Sequence, residues 1–249
     1  MSGHSKWATI KRKKAANDAK RGAAFTKLIR EVTIAARSGG DPNANARLRT
    51  AMDNARAQNM PNDTLEKAIL RGMGELPGVV YEENVYEGYG PGGAALFIEV
   101  TTDNRNRSAS EIRHALTKHG GNLGEPNSVA WLFDRKGSII VPNEGVDEDS
   151  LMMTALDAGA EDVVDDTDAF EVVTTQETFY AVRAALEDAG YRVENANLAM
   201  VPKTSVHVEG QDAVRLLKLL DVLDESDDVQ NVYSNFDIDE SVIEQIEAA

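Results

Sequence analysis

The chain has 249 residues, 42% of them hydrophobic, and a net charge of −16, enough to bury a sizeable core. It has no cysteine, which excludes disulfides, thiolate catalysis and Cys-ligated zinc and is compatible with a reducing compartment. The acidity is uneven: residues 1–74 carry 15 of the 26 Lys+Arg and 6 of the 42 Asp+Glu, a net of +9 against −25 for the remainder.

Such asymmetry predicts a basic element that meets a polyanion and an acidic body that stays off it. No secretory signal opens the chain and no apolar stretch has transmembrane length, so the expected location is the cytoplasm, with no membrane partner. A basic transit peptide is the alternative for the N-terminus. The Lys-rich segment argues against it by running directly into an amphipathic helix.

In chain order, the basic segment comes first. Lys6, Lys11, Arg12, Lys13, Lys14, Lys20, Arg21, Lys27 and Arg30 accompany one acid, Asp18, before residue 31. Cations at this density bind phosphates by releasing condensed counterions, with no pocket needed. Trp7, beside Lys6, is placed to stack on an exposed base or wedge at a groove. The competing reading is a solvated tail with Trp7 pinning it to the first helix. KRKK runs around a helix rather than along one face, which suits backbone contact better than base reading.

Phe25, Leu28, Ile29, Val32 and Ala36 follow at helical spacing, and Gly39 and Gly40 stop the helix. A second helix is predicted after Pro42, burying Leu48, Met52 and Ala55. A third is predicted over NDTLEKAILRG, capped by Asp63 with Glu66 reaching back. GMGELPG (72–78) reads as a linker.

Strands alternating with helices come next. Strand 94–101, helix 108–120 (opened by a Ser108/Glu111 capping box) and strand 129–134 form one split β-α-β. Strand 204–209, helix 212–224 and strand 229–236 form its counterpart. A second β-α-β-β-α-β set lies between them. The predicted class is α+β: a basic three-helix domain (1–74), then two ferredoxin-like domains. One is discontinuous (79–135 plus 203–240) and the other (136–202) is inserted in it.

The residues that could carry chemistry are few. Gly88-Tyr89-Gly90-Pro91-Gly92-Gly93 matches G-x-G-x-x-G in form, yet a strand follows where a dinucleotide site needs a helix, so a tight strand connection is expected. His114 and His119 are five apart, off the i,i+4 spacing of a helical metal pair. No hydrolytic triad is suggested, and the acidic clusters at 147–150, 161–168 and 224–228 lack calcium-loop spacing and read as solvated loops and caps. The expectation is a protein with no catalytic residues, metal, cofactor or small-molecule substrate.

A second basic island remains in TDNRNRSASEIRHALTKH, where within residues 104–119 Arg105, Arg107, Arg113 and Lys118 face only Glu111, with His114 and His119 close by. Arg105 and Arg107 precede a helix N-terminus, which also attracts phosphate. The alternative is that these arginines pair with body carboxylates and fix a connector. The candidate nucleic-acid residues are therefore Lys6, Trp7, Lys11, Arg12, Lys13, Lys14, Lys20, Arg21, Arg105, Arg107, His114 and Lys118.

GHSKWATIKRKKAANDAKRGAAFTKLIREV, YEGYGPGGAA, TDNRNRSASEIRHALTKHGGNLGEPNSVAWLF and VYSNFDI together resemble the YebC/PmpR family over nearly the whole chain. The resemblance implies a helical N-terminal domain and two α/β domains around a cleft. It also implies a non-enzymatic role in gene expression: members are regarded as transcriptional regulators, and mitochondrial relatives as translational activators. The sequence departs from the family pattern at KRKK (11–14), where a histidine often follows the first lysine, and at Asn127, where many members have Gly. The leading expectation is a DNA-binding transcriptional regulator. The alternative is an RNA-binding translation factor on the ribosome, meeting rRNA or mRNA through the head and basic ribosomal proteins through the acidic body.

Overall fold

The structure is a computed structural model that describes residues 21–166 and 169–239. Among these, 21–31, 78–134 and 200–239 gather in one compact unit, and 32–77, 135–166 and 169–199 in a second.

The chain enters through helix α1 (Arg21–Ala36), whose Val32 and Ala36 are buried as the period requires. Helix α2 (Ala46–Ala57) buries Leu48, Met52 and Ala55. It starts at Asn45, whose side chain accepts from the Leu48 N–H at 3.0 Å and so satisfies one orphan donor. Helix α3 (Asn62–Gly72) departs from expectation: Pro61, not Asp63, holds the cap position, with no side-chain bond. Proline fits there because its fixed φ suits helix entry and it lacks the N–H that would go unpaired. Asp63 pairs instead with Lys67 at 2.6 Å.

In the first unit, β1 (Glu82–Tyr89) and β2 (Ala95–Thr102) form an antiparallel hairpin. Helix α4 (Arg105–Lys118) then leads to β3 (Asn122–Leu123). The next strand, β4 (Phe133–Pro142), opens the inserted set β4-α5-β5-β6-α6-β7, in which α5 is Glu148–Asp157, β5 Ala160–Asp166, β6 Ala169–Thr175, α6 Phe179–Asp188 and β7 Asn195–Pro202. The chain closes through β8 (Val206–His207), α7 (Gly210–Glu225), β9 (Val229–Ser234) and β10 (Phe236–Asp237).

The inserted sheet has the order β5-β6-β4-β7, the ferredoxin-like arrangement of two interlocked strand-helix-strand halves. Ile139, Val141, Phe170 and Val172 share one face of it and pack on Leu151 and Ala155 of α5 and Val182 and Leu186 of α6. Arg183 of α6, 7% exposed, donates to Thr50 (2.7 Å) and Asp53 (2.7 Å) of α2 and Glu187 (2.9 Å), so a buried cation is fully partnered.

The other sheet has the order β3-β1-β2-β9. Leu96, Ile98 and Val100 of β2 meet Ile112 and Leu116 of α4 and four leucines of α7 (216, 219, 220 and 223) on one face. The leucine row is core, as its spacing predicts.

Two strand assignments need correction. Residues 204–209 do not join this sheet; only 206–207 form a strand, pairing parallel with 236–237. Between β2 and β3 lies β1, which the local hairpin to β2 delivers. Residues 129–132 are not strand either: Ala130–Leu132 form a 3-10 turn after Val129, because Glu87 captures the N–H groups of Val129 (2.7 Å) and Ala130 (2.8 Å), removing them from any ladder.

Candidate nucleic-acid interface

Lys6, Trp7, Lys11, Arg12, Lys13, Lys14 and Lys20 lie outside the described residues. Arg21 is the first residue of α1. The next two cations of the head, Lys27 and Arg30, can be followed atom by atom. Lys27 donates to the carbonyl of Asp224, in the last turn of α7, and to its carboxylate at 3.3 Å. An ammonium there satisfies an orphan carbonyl and complements the negative end of the helix. Arg30, 9% exposed, donates through Nη1 to Asp228 Oδ1 (2.9 Å), to the Thr101 carbonyl (2.9 Å) and to the Asp227 carbonyl, with its guanidinium over the Tyr81 ring at 5.1 Å. The acidic segment 224–228 therefore receives the base of the head, beyond the solvated-loop role its composition suggests.

Asp228 is the hub of that contact. Its carboxylate, 4% exposed, also accepts from Arg107 (2.9 Å), Ser108 (2.7 Å) and Thr102 (3.0 Å). Burial pushes its pKa up, but the hydrogen bonds from Ser108, Arg107, Arg30 and Thr102 more than offset this and hold it down at about 2. Arg107 bridges Asp228 and Asp103 (2.7 Å), and both hydrogen bonds raise its pKa. This is the connector-fixing role weighed for it from sequence. Ser108 is likewise not a cap: Asn104 caps α4, accepting from the Arg107 N–H at 3.1 Å, while the Ser108 hydroxyl serves Asp228 inside the first turn.

The other island residues stand on the exposed side of α4. Arg105 borders an open depression of about 570 Å³ with Glu82, Asp103, Asn104 and Asn106, and its carbonyl accepts from the Tyr86 hydroxyl at 3.0 Å. His114 and Lys118 are exposed one turn apart on a shared face, with Arg113 exposed beside them. From Arg105 to Lys118 the helix rises roughly 20 Å, so Arg105 and the His114–Lys118 pair sit at opposite ends. Burial, and then Lys118 and Lys218, lower the pKa of His119 and disfavour its charged form.

The glycine motif is a turn. Pro91–Gly93 form a 3-10 turn between β1 and β2. Gly92 takes φ 71°, and a Cβ there would lie 2.8 Å from Val208; one on Gly90 would lie 2.7 Å from Leu216. These glycines allow close packing in the core rather than approach to a phosphate. Among the described residues no three His, Asp or Glu side chains are grouped to hold a metal ion.

Glu87 went unnoticed in the sequence, one acid among many. It is 7% exposed, and its two oxygens accept the N–H groups of Asn127 (2.7 Å), Val129 and Ala130, fixing the turn that carries NSVAW. Asn127 has φ 67°, a region that Gly and Asn enter most readily, which accounts for an asparagine at this turn position.

Together these features define an α+β protein with a helical N-terminal region and two ferredoxin-like sheets, one inserted in the other. Residues 5–75 match the family described as "TACO1/YebC protein N-terminal domain", and residues 81–236 match "TACO1/YebC second and third domain". The chain belongs to the TACO1/YebC family. Similar proteins include one from Solibacter usitatus, 56% identical over 246 residues (99% of both chains), and one from Geobacter sulfurreducens, 54% identical over 247 (99% of this chain, 100% of that one). Both carry the name "Probable transcriptional regulatory protein". The crystal structure of a conserved hypothetical protein from Aquifex aeolicus is 47% identical with a TM-score of 0.84, covering 90% of this chain and 93% of that one.

Proposed function

We propose that this protein is a nucleic-acid-binding, non-catalytic regulator of gene expression, acting in the cytoplasm, and specifically a DNA-binding regulator of transcription. The observation that carries the reading is the charge segregation, +9 over residues 1–74 against −25 over the remainder. Lys6, Lys11, Arg12, Lys13, Lys14, Lys20 and Arg21 contact phosphates, and Trp7 contacts a base or groove. Arg105, His114 and Lys118 on α4 offer a second, smaller contact, and Arg107 positions that helix. The names of the relatives support the regulatory role.

One observation favours a second reading, an RNA-binding translation factor on the ribosome. The body beyond residue 74 carries a net charge of −25, and an acidic body is repelled by any duplex that wraps it. Crosslinking in cells followed by sequencing of the attached nucleic acid separates the two. Promoter enrichment is expected for the first, and ribosomal RNA without promoter enrichment removes it.

A further inference from the structure

Trp131 stands on the turn that Glu87 organises, and the residue is 65% exposed. Single exposed apolar residues are common and need no explanation. This one differs in how firmly it is held. The indole Nε1–H donates to the Ser128 carbonyl at 3.1 Å, and the same carbonyl accepts from the Tyr89 hydroxyl at 3.2 Å. The Trp131 carbonyl accepts from Lys203 Nζ at 3.1 Å, and the Leu132 carbonyl from the Lys203 N–H at 2.8 Å. Below the turn lie the three N–H bonds to buried Glu87, the left-handed Asn127, and Gly124, where a Cβ would fall 2.4 Å from Ser128 Oγ. The backbone is tied on both sides of the ring, and the ring is left in solvent.

From this geometry we infer that Trp131 is a stacking platform for an unpaired nucleobase. The indole N–H is already committed inside the turn, so what Trp131 offers a ligand is a flat π face without a hydrogen-bond requirement. The exposed residues near it in the chain, Glu125, Pro126, Asn127 and Asp134, are polar apart from the proline, unlike the apolar setting of a protein hot spot. A base matches that setting, with an apolar face and polar edges. Lys203, its side chain about half exposed, pairs with Asp134 at 3.1 Å while donating to the Trp131 carbonyl. A rigid aromatic loses little freedom on stacking, and stacking tolerates any base. The inference rests on the nucleic-acid reading above and adds a contact to bases that the phosphate-binding head does not supply.

The test uses the full chain with Trp7→Phe, which leaves Trp131 as the sole indole of the two in the sequence. Binding of labelled oligothymidylate and oligouridylate is followed by anisotropy, and indole fluorescence is read in the same titrations. The expected result is quenching that saturates with the anisotropy curve for single strands and is absent for a duplex of equal length. The two single strands separate DNA from RNA as the source of the base. Adding Trp131→Ala should lower single-strand affinity about ten-fold without changing its salt dependence, and Trp131→Tyr should retain most of it. Circular dichroism confirms that each variant is folded. Anisotropy binding with an unchanged indole signal overturns the inference while leaving the nucleic-acid reading intact. No binding of any strand or duplex overturns both.

Discussion

Replacing Asp228 is the sharpest structural test of how the head is attached. In Asp228→Ala, Arg30, 9% exposed and within 2.9 Å of the lost carboxylate, becomes a buried cation with only the carbonyls of Thr101 and Asp227 for company. Ser108 and Thr102 lose their shared acceptor at the same time. Breaking one side of a buried ion pair costs about 3–5 kcal/mol, a large share of a domain's stability. Asp228→Asn keeps the shape and one acceptor oxygen, so it falls at the lower end. The pH dependence has a definite sign. The folded pKa of about 2 lies below the ordinary carboxylate value, so the stabilisation is complete above about pH 4 and is lost as pH falls through about 2. A shift of this size is worth about 2 kcal/mol. Equilibrium urea unfolding of wild type and Asp228→Asn, followed by circular dichroism from pH 7 down to pH 2.5, should show a gap that narrows over the acid end. A gap below about 1 kcal/mol at pH 7, or one that stays constant with pH, refutes the hub.

Three further outcomes follow from the same contacts. Arg30→Gln should lower the urea midpoint yet leave the salt dependence of nucleic-acid binding unchanged, because Arg30 is committed to Asp228 and two carbonyls; a changed salt slope would return it to the phosphate-binding set. Glu87→Gln keeps only one acceptor oxygen for three N–H groups and should cost about 2 kcal/mol or more, with faster hydrogen exchange confined to 124–132. At Asn127, with φ 67°, Gly should be tolerated within about 0.5 kcal/mol, whereas Val should destabilise by about 1–2 kcal/mol; equal thermal midpoints would contradict the left-handed turn.

Much of the fold was legible because it is written in local patterns. The periods of α1 to α3, the leucine row of α7 and the inserted β-α-β-β-α-β set all follow from side chains a few residues apart. The errors occur where a distant partner decides. Ser108 with Glu111 has the spacing of a capping box, yet Asp228, 120 residues away, draws the serine hydroxyl inward, and Asn104 caps the helix. SVAWLF reads as strand until Glu87 takes its N–H groups. Residues 204–209 are expected in the same sheet as 94–101, but β1 pairs with β2 there through a local hairpin, and 206–207 pair with 236–237 instead. At the candidate site, Arg105, His114 and Lys118 were recognisable as exposed cations from composition. That Arg30 and Arg107 share one buried carboxylate was not, because nothing distinguishes Asp228 from its acidic neighbours until the chain is folded.

The central claim is that the N-terminal cations bind a phosphate backbone by counterion release. The direct measurement is affinity for duplex and single-stranded nucleic acid across salt concentrations, for wild type and for a chain with Lys11, Arg12, Lys13 and Lys14 replaced by alanine. With roughly five to eight phosphates engaged, wild-type affinity should fall about a thousandfold between 50 and 200 mM salt. The variant should bind more weakly with its log–log slope reduced by about 3–4 on duplex. Wild-type affinity independent of salt, or an unchanged slope in the variant, would contradict the claim.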